Sequence, residues 1–220
     1  MAADKNISVS NVANGTTRLQ PVVLLTGQAA GILAALAARD HLAAGDVPVR
    51  QVQDALLERG AMLMPYIDVT PTHPAFRSCQ RIGATGLLRG RGVPHQWDNQ
   101  TWFDPDLPAV ADPLFNLWNA WTPIPAFSSN GKVTLRALAA PLAATWRAMT
   151  PDNKKKERFT TASMLQYLER NKDAWGLASK KMDDALTRAE LAIVLDRSID
   201  IFHLASVDLR GHFLPPAGRH

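Results

Sequence analysis

Between Val22 and Ala38 the chain carries only two polar side chains, Thr26 and Gln28, and this run constrains the fold more than any other stretch. Pro21 stands just before it, where the first turn of a helix has no use for a backbone N–H. A helix apolar on all sides is expected to be buried on all sides, so residues 19–38 read as one central, buried helix. The small residues have their own spacing: Gly27 and Gly31 are four apart, and Ala30, Ala34 and Ala38 repeat the interval on a neighbouring stripe. Two glycines inside a helix cost roughly 1 kcal/mol each relative to alanine. They therefore point to a face that a backbone or a flat ligand approaches closely.

Two membrane readings compete with the packing helix. A small-xxx-small pattern in an apolar run also suits paired membrane helices. The run is slightly short for the ~20 residues that a bilayer requires, and it contains Pro21, Thr26 and Gln28. A secretory leader would place Lys5 and Arg18 ahead of the apolar core, but the leader is too long and the core outruns an ordinary h-region. The expectation is no membrane span.

The segment from Asn6 to Arg18, Asn-Ile-Ser-Val-Ser-Asn-Val-Ala-Asn-Gly-Thr-Thr-Arg, leads into Thr26-Gly27-Gln28-Ala29-Ala30-Gly31. In order and spacing it resembles the last flavin-contacting segment of the FAD-dependent oxidoreductases, the superfamily that includes the fumarate reductase and succinate dehydrogenase flavoproteins. The helix after Gly45 and the following Ala61–Tyr66 resemble one bacterial branch of that family. The resemblance implies a strand near residues 6–10, a loop carrying Arg18, and a Gly/Ala-rich helix whose N-terminus points at the flavin. Leu19, Gln20, Pro21, Val22 and Val23 would supply backbone contacts to FAD, and Gly27 and Gly31 would allow close packing. Arg18 would lie near flavin or substrate, where relatives use an arginine to hold a carboxylate; a structural ion pair is its other reading. Asn11 stands where many relatives have His. The physical logic is that a helix N-terminus carries about half a positive charge and unpaired N–H groups, which suit an electron-rich cofactor edge.

The chain lacks G-x-G-x-x-G after an early strand, the usual cradle of a dinucleotide. Its glycine cluster, Gly83, Gly86, Gly90 and Gly92, follows a helical pattern and reads as a helix end and turn. The dinucleotide-binding region is thus expected upstream or on another chain, together with a small-molecule substrate, and the 220 residues are not expected to be catalytically competent alone. The fold class that follows is mainly α: a C-terminal, flavin-facing helix segment of an α/β FAD domain over residues 1–70, then an α-helical domain over 71–220. The domain boundary is placed by Pro65, Pro71 and Pro74.

Helices are expected near residues 48–59, 74–87, 134–149, 161–175 and 188–203, with little strand beyond residues 6–10. Thr187 and Glu190 spell a capping box, in which each side chain satisfies the other residue's backbone N–H. Thr134-Leu135-Arg136-Ala137-Leu138-Ala139 aligns with Thr187-Arg188-Ala189-Glu190-Leu191-Ala192 at an offset of 53 residues. This half resembles, in part, S-layer homology repeats, small helical modules that bind cell-wall polysaccharide. The first copy has Pro108 to Pro113 where the Thr-Arg-Ala-Glu opening belongs. The alternative function is accordingly a helical wall-binding or protein-interaction module without catalysis. Trp118, Trp121 and Trp146 read as core, and Trp97 and Trp102 as the exposed pair.

A net charge of +4 singles out no partner. Lys154-Lys155-Lys156 has no interleaved aromatics and reads as a solvated loop, so nucleic acid is not expected. One cysteine, Cys79, excludes internal disulfides, and the six histidines have no metal-ligand spacing. The cytoplasm is the default location, with the cell envelope implied if the repeats bind wall.

Overall fold

The computed structural model describes residues 7–121, 131–150 and 159–214, and the protein is mainly α-helical. Lys154–Lys156 and the tail prolines lie outside these residues, as does the side chain of Trp121. The chain divides into two compact units: Met1–Met62 with Val207–His212, and Leu63–Ser206 with Phe213–His220.

The first unit opens differently from expectation. Residues 8–10 form no strand; helix α1, Asn11–Thr17, follows directly, and Asn6 lies outside the described residues. The cause is local chemistry. Ser10 accepts from the Ala13 N–H at 3.2 Å, and the Thr16 and Thr17 hydroxyls both donate to the Ala13 carbonyl. Such side-chain bonds start a short helix, whereas a strand needs a neighbouring edge. No residue of α1 is buried.

Helix α2, Gln20–Asp40, ends at His41 in the left-handed conformation (φ +54), and the His41 N–H bonds the Ala37 carbonyl. The stop comes before Gly45, which sits in a 3-10 turn, Ala44–Asp46. Helix α3, Val49–Glu58, packs on α2 through a small core of Ile32, Leu36, Val47 and Ala55. Gly60 closes the unit's helical part at φ +78, a conformation that glycine adopts without strain.

The expectation that α2 is buried on every side is overturned. Only Val23, Ile32 and Leu36 are buried, while Leu24 is 71% and Leu25 58% exposed. The apolar pattern is all-round, but one helix and a 3-10 turn cover only one stripe.

The second unit holds the main core. Helix α4, Phe76–Thr85, is capped by Gly86 in the left-handed conformation, as the glycine pattern predicts. A hairpin follows, in which β1, Arg91–His95, pairs antiparallel with β2, Asp98–Trp102, in the register Val93–Gln100. This sheet in the second half was not expected. Pro94 lies inside β1, and the turn places Gln96 at φ +54, without the Asn-Gly or Asp-Gly pair that announces such turns. The remaining helices are α5, Ala111–Trp121; α6, Leu135–Met149; α7, Thr161–Asn171, with a 3-10 turn at Asp173–Trp175; α8, Arg188–Ile199; and α9, Ile201–Leu204. All the expected helices beyond α2 are present within a few residues; α5 is additional.

Helix α4 packs on α8, and α6 on α7. Trp118, Phe103, Ile82, Leu142 and Leu168 are among the fully enclosed side chains. Trp118 donates its indole N–H to Thr145 Oγ1 at 2.9 Å, which removes the penalty of burying a polar atom. Trp97, at the hairpin turn, is 98% exposed, whereas Trp102 is half-buried.

The 53-residue offset has a structural counterpart. Thr134 and Thr187 both cap their helices, accepting from Ala137 and Glu190, and Leu138, Ala139 and Leu142 are buried like Leu191, Ala192 and Leu195. The residues just before α5, α6 and α8 are laced together. Ala109 N–H bonds the Leu186 carbonyl, Leu186 N–H bonds Val133, and Val110 bridges Lys132.

Candidate functional site

The residues singled out from the sequence gather at the junction of α1 and α2. Arg18 ends α1 with helical backbone (φ −78, ψ −9), and Leu19 is extended (φ −67, ψ 138), so the chain turns sharply before α2 starts. Leu19 offers no side-chain acceptor to the new helix, and there is no acid in its first turn. Pro21 has no N–H to satisfy, which leaves the Gln20 and Val22 N–H groups without an intrahelical acceptor. Val23, whose N–H bonds the Leu19 carbonyl at 3.0 Å, is the first buried residue. Arg18, Leu19, Gln20 and Pro21 are exposed. Arg18 makes no ion pair among the described residues.

Gly27 and Gly31 sit on the same helix with nothing near them: a Cβ at either would meet no heavy atom within 4 Å. The close approach that the glycines allow is therefore not used by the described residues. By length and composition α2 could cross a membrane, and only 17% of its most apolar window is buried.

A second cluster, not signalled by any motif, lies where α4 meets α8 and α9. Arg81 reaches Asp196 Oδ1 at 2.5 Å and Asp200 Oδ1 at 2.8 Å, with its guanidinium 4.6 Å from the centre of the Phe202 ring. Ser78 donates to Asp196 Oδ2 at 2.8 Å, and His203 Nδ1 lies 2.7 Å from Asp200 Oδ2. Burial pushes the Asp196 carboxyl above its ordinary range, opposed by Arg81 and the Ser78 hydroxyl. The partners are more than a hundred residues apart in sequence, so spacing could not reveal them. Its one hydroxyl, Ser78, is buried and given over to Asp196, and these contacts fasten α4 to α8 and α9.

Cys79 is buried, and burial pushes its thiol up to about 12, the opposite of a reactive thiolate. Tyr66 is likewise raised to about 12, chiefly by burial. Among the described residues no three His, Cys, Asp or Glu side chains come together to hold a metal ion.

Among the described residues the α1–α2 junction is of a kind that suits a flavin: an uncapped helix N-terminus, a guanidinium without an ion pair, no acid in the first turn, and a bare apolar face behind it. The family model described as FAD dependent oxidoreductase matches residues 1–56, which include this junction and all of α2. The match supports an FAD-dependent oxidoreductase region at this end of the chain; it covers 56 of the 220 residues. No curated protein matches the chain, and no solved structure does.

Proposed function

We propose that the chain is the C-terminal portion of an FAD-dependent oxidoreductase of the fumarate reductase and succinate dehydrogenase flavoprotein type, with the α2 N-terminus facing the flavin. The observation that carries this reading is the match over residues 1–56, which falls on the helix whose N-terminus is uncapped and whose glycine face is bare. FAD, when bound, supplies hydride exchange with a substrate. The chain's own contribution is electrostatic and steric. The Gln20 and Val22 N–H groups, with the helix dipole, favour negative charge at the cofactor edge. Arg18, exposed beside them, orients a carboxylate or similar anion through its planar fork. Gly27 and Gly31 let the rest of the FAD domain lie directly on the α2 backbone.

The dinucleotide cradle comes from outside these 220 residues, so the chain purified alone should not carry stoichiometric flavin. Supplied with a region bearing G-x-G-x-x-G, as one polypeptide or as a complex, it should retain FAD with the usual flavin absorbance. Tight FAD binding by the 220 residues alone would overturn the division of labour.

A second reading concerns the helical half. The openings of α5, α6 and α8 are hydrogen-bonded to one another, and the alternative we propose for this half is a repeated module of the S-layer homology kind that binds bacterial cell-wall polysaccharide, a reading that rests on the sequence resemblance alone. Retention of the chain by purified wall polysaccharide, lost on Trp97→Ala, would support that reading; no retention leaves the helical half as an appendage of the flavoprotein.

A further inference from the structure

A cavity of about 360 Å³ opens between α6, α7 and α8, in the unit that carries no part of the flavin region. Its walls are aromatic and apolar. Trp146 and Phe159 pack 4.8 Å apart, Tyr167 stands at one side, and Met164 and Ile199, each 2% exposed, form part of the lining. Two residues of this lining each carry a buried polar atom with no hydrogen-bond partner among the described residues: the Trp146 indole N–H and the Ser198 hydroxyl. Ser198 is nine-tenths buried. Buried polar atoms in native proteins are nearly always paired, and two orphans bordering one cavity ask for a common occupant.

Charge narrows the chemistry of that occupant. Arg170 also lines the cavity and is exposed, and among the described residues it forms no ion pair and no Asp or Glu contributes to the lining. An indole N–H can only donate, an arginine can only donate, and a serine hydroxyl turns about one torsion to donate as well. Ser163 and Gln166 add groups that can donate or accept, so among the described residues donors and one cation prevail over a flat aromatic wall, which selects a ligand with an apolar ring and electron-rich oxygens. The volume is at the small end of ligand sites, which excludes a dinucleotide or an oligosaccharide.

We propose that this cavity binds a small aromatic carboxylic acid, its ring against Trp146, Phe159 and Tyr167 and its carboxylate held by Arg170, with Trp146 and Ser198 donating to acceptor atoms of the ligand. The site is independent of the flavin reading and would stand if that reading failed.

The experiment uses the full chain with indole-3-acetate as probe and indole as its neutral counterpart. Titration is followed by calorimetry and by the Trp146 indole N–H resonance, assigned through Trp146→Phe. Indole-3-acetate should bind, shift that resonance, and bind at least tenfold more tightly than indole. Arg170→Gln, at an exposed position, should abolish the preference for the acid while leaving the melting temperature unchanged. Ser198→Ala removes an orphaned hydroxyl, so it should keep or raise the melting temperature yet weaken the acid several-fold. An unmoved Trp146 resonance at millimolar probe would overturn the proposal. So would equal affinity for indole and indole-3-acetate, or an acid affinity indifferent to Arg170→Gln.

Discussion

Gln80 has no exposed surface, yet its side chain makes three hydrogen bonds: Oε1 accepts from the Leu63 and Met64 N–H groups at 2.7 Å each, and Nε2 donates to the Met64 carbonyl at 3.0 Å. It replaces the strand partner that the segment before Tyr66 does not have. Gln80→Leu keeps the volume but strands two backbone donors, and should lower unfolding free energy by about 2–4 kcal/mol, read from denaturant midpoints. Asp196 tests a different physics. Its folded pKa is raised, first by burial and further by Asp200, so the folded state holds the proton more tightly than the unfolded chain does. Its contribution is fully present below the ordinary carboxyl range and is lost as pH rises through the folded value. The melting temperature of Asp196→Asn relative to the parent should therefore climb as pH rises from about 4. A difference flat with pH would mean that Arg81 and Ser78 cancel the cost of burial.

Among the elements, α8 shows why a sequence pattern can be trusted. Thr187 N–H bonds Glu190 Oε2 at 2.7 Å, the Thr187 hydroxyl accepts from the Glu190 N–H at 3.2 Å, and Lys180 pairs with the same carboxylate. Arg188 extends the opening outward, donating to the Phe103 and Arg89 carbonyls and lying 4.8 Å over the Phe103 ring. Thr187→Ala should cost about 1 kcal/mol, seen as a lower melting temperature. Caps of this kind are legible because all their partners lie within four residues. The hairpin was not legible, since Arg-Gly-Val-Pro-His and Asp-Asn-Gln-Thr-Trp lack the alternation and β-branched residues of a typical strand. Its place is fixed from afar: Asp68 accepts from the Phe103 and Asp104 N–H groups, and Gly90 lies so close to Tyr66 that a Cβ there would come within 2.7 Å of the ring. Helix α2 failed in the other direction. Its extent was legible from composition, but its burial was not, because burial depends on what else is present to cover it. Gly31→Ala makes that concrete. With open space around the position, the variant should stabilise the isolated chain by about 0.5–1 kcal/mol, the ordinary gain of alanine over glycine in a helix.

For the molecule as a whole, the same glycine and the arginine before the helix separate two roles. Among the described residues neither Arg18 nor Gly31 meets a partner, so in the isolated chain substitutions there are expected to act on folding through helix propensity. In the complete oxidoreductase proposed above, Gly31 lies under the rest of the FAD domain. Gly31→Leu should then overpack that contact at a cost of about 1–3 kcal/mol and release flavin first. Arg18→Lys keeps the charge and loses the bidentate fork, so it should leave flavin retention intact and lower kcat/KM about tenfold or more, the scale of one charge-assisted hydrogen bond. Flavin absorbance after gel filtration and steady-state kinetics on the two variants distinguish these outcomes. An unchanged kcat/KM in Arg18→Lys would reduce the site to the backbone of Leu19–Val23. Flavin retention unaffected by Gly31→Leu would mean that the bare face of α2 is not where the cofactor domain lies.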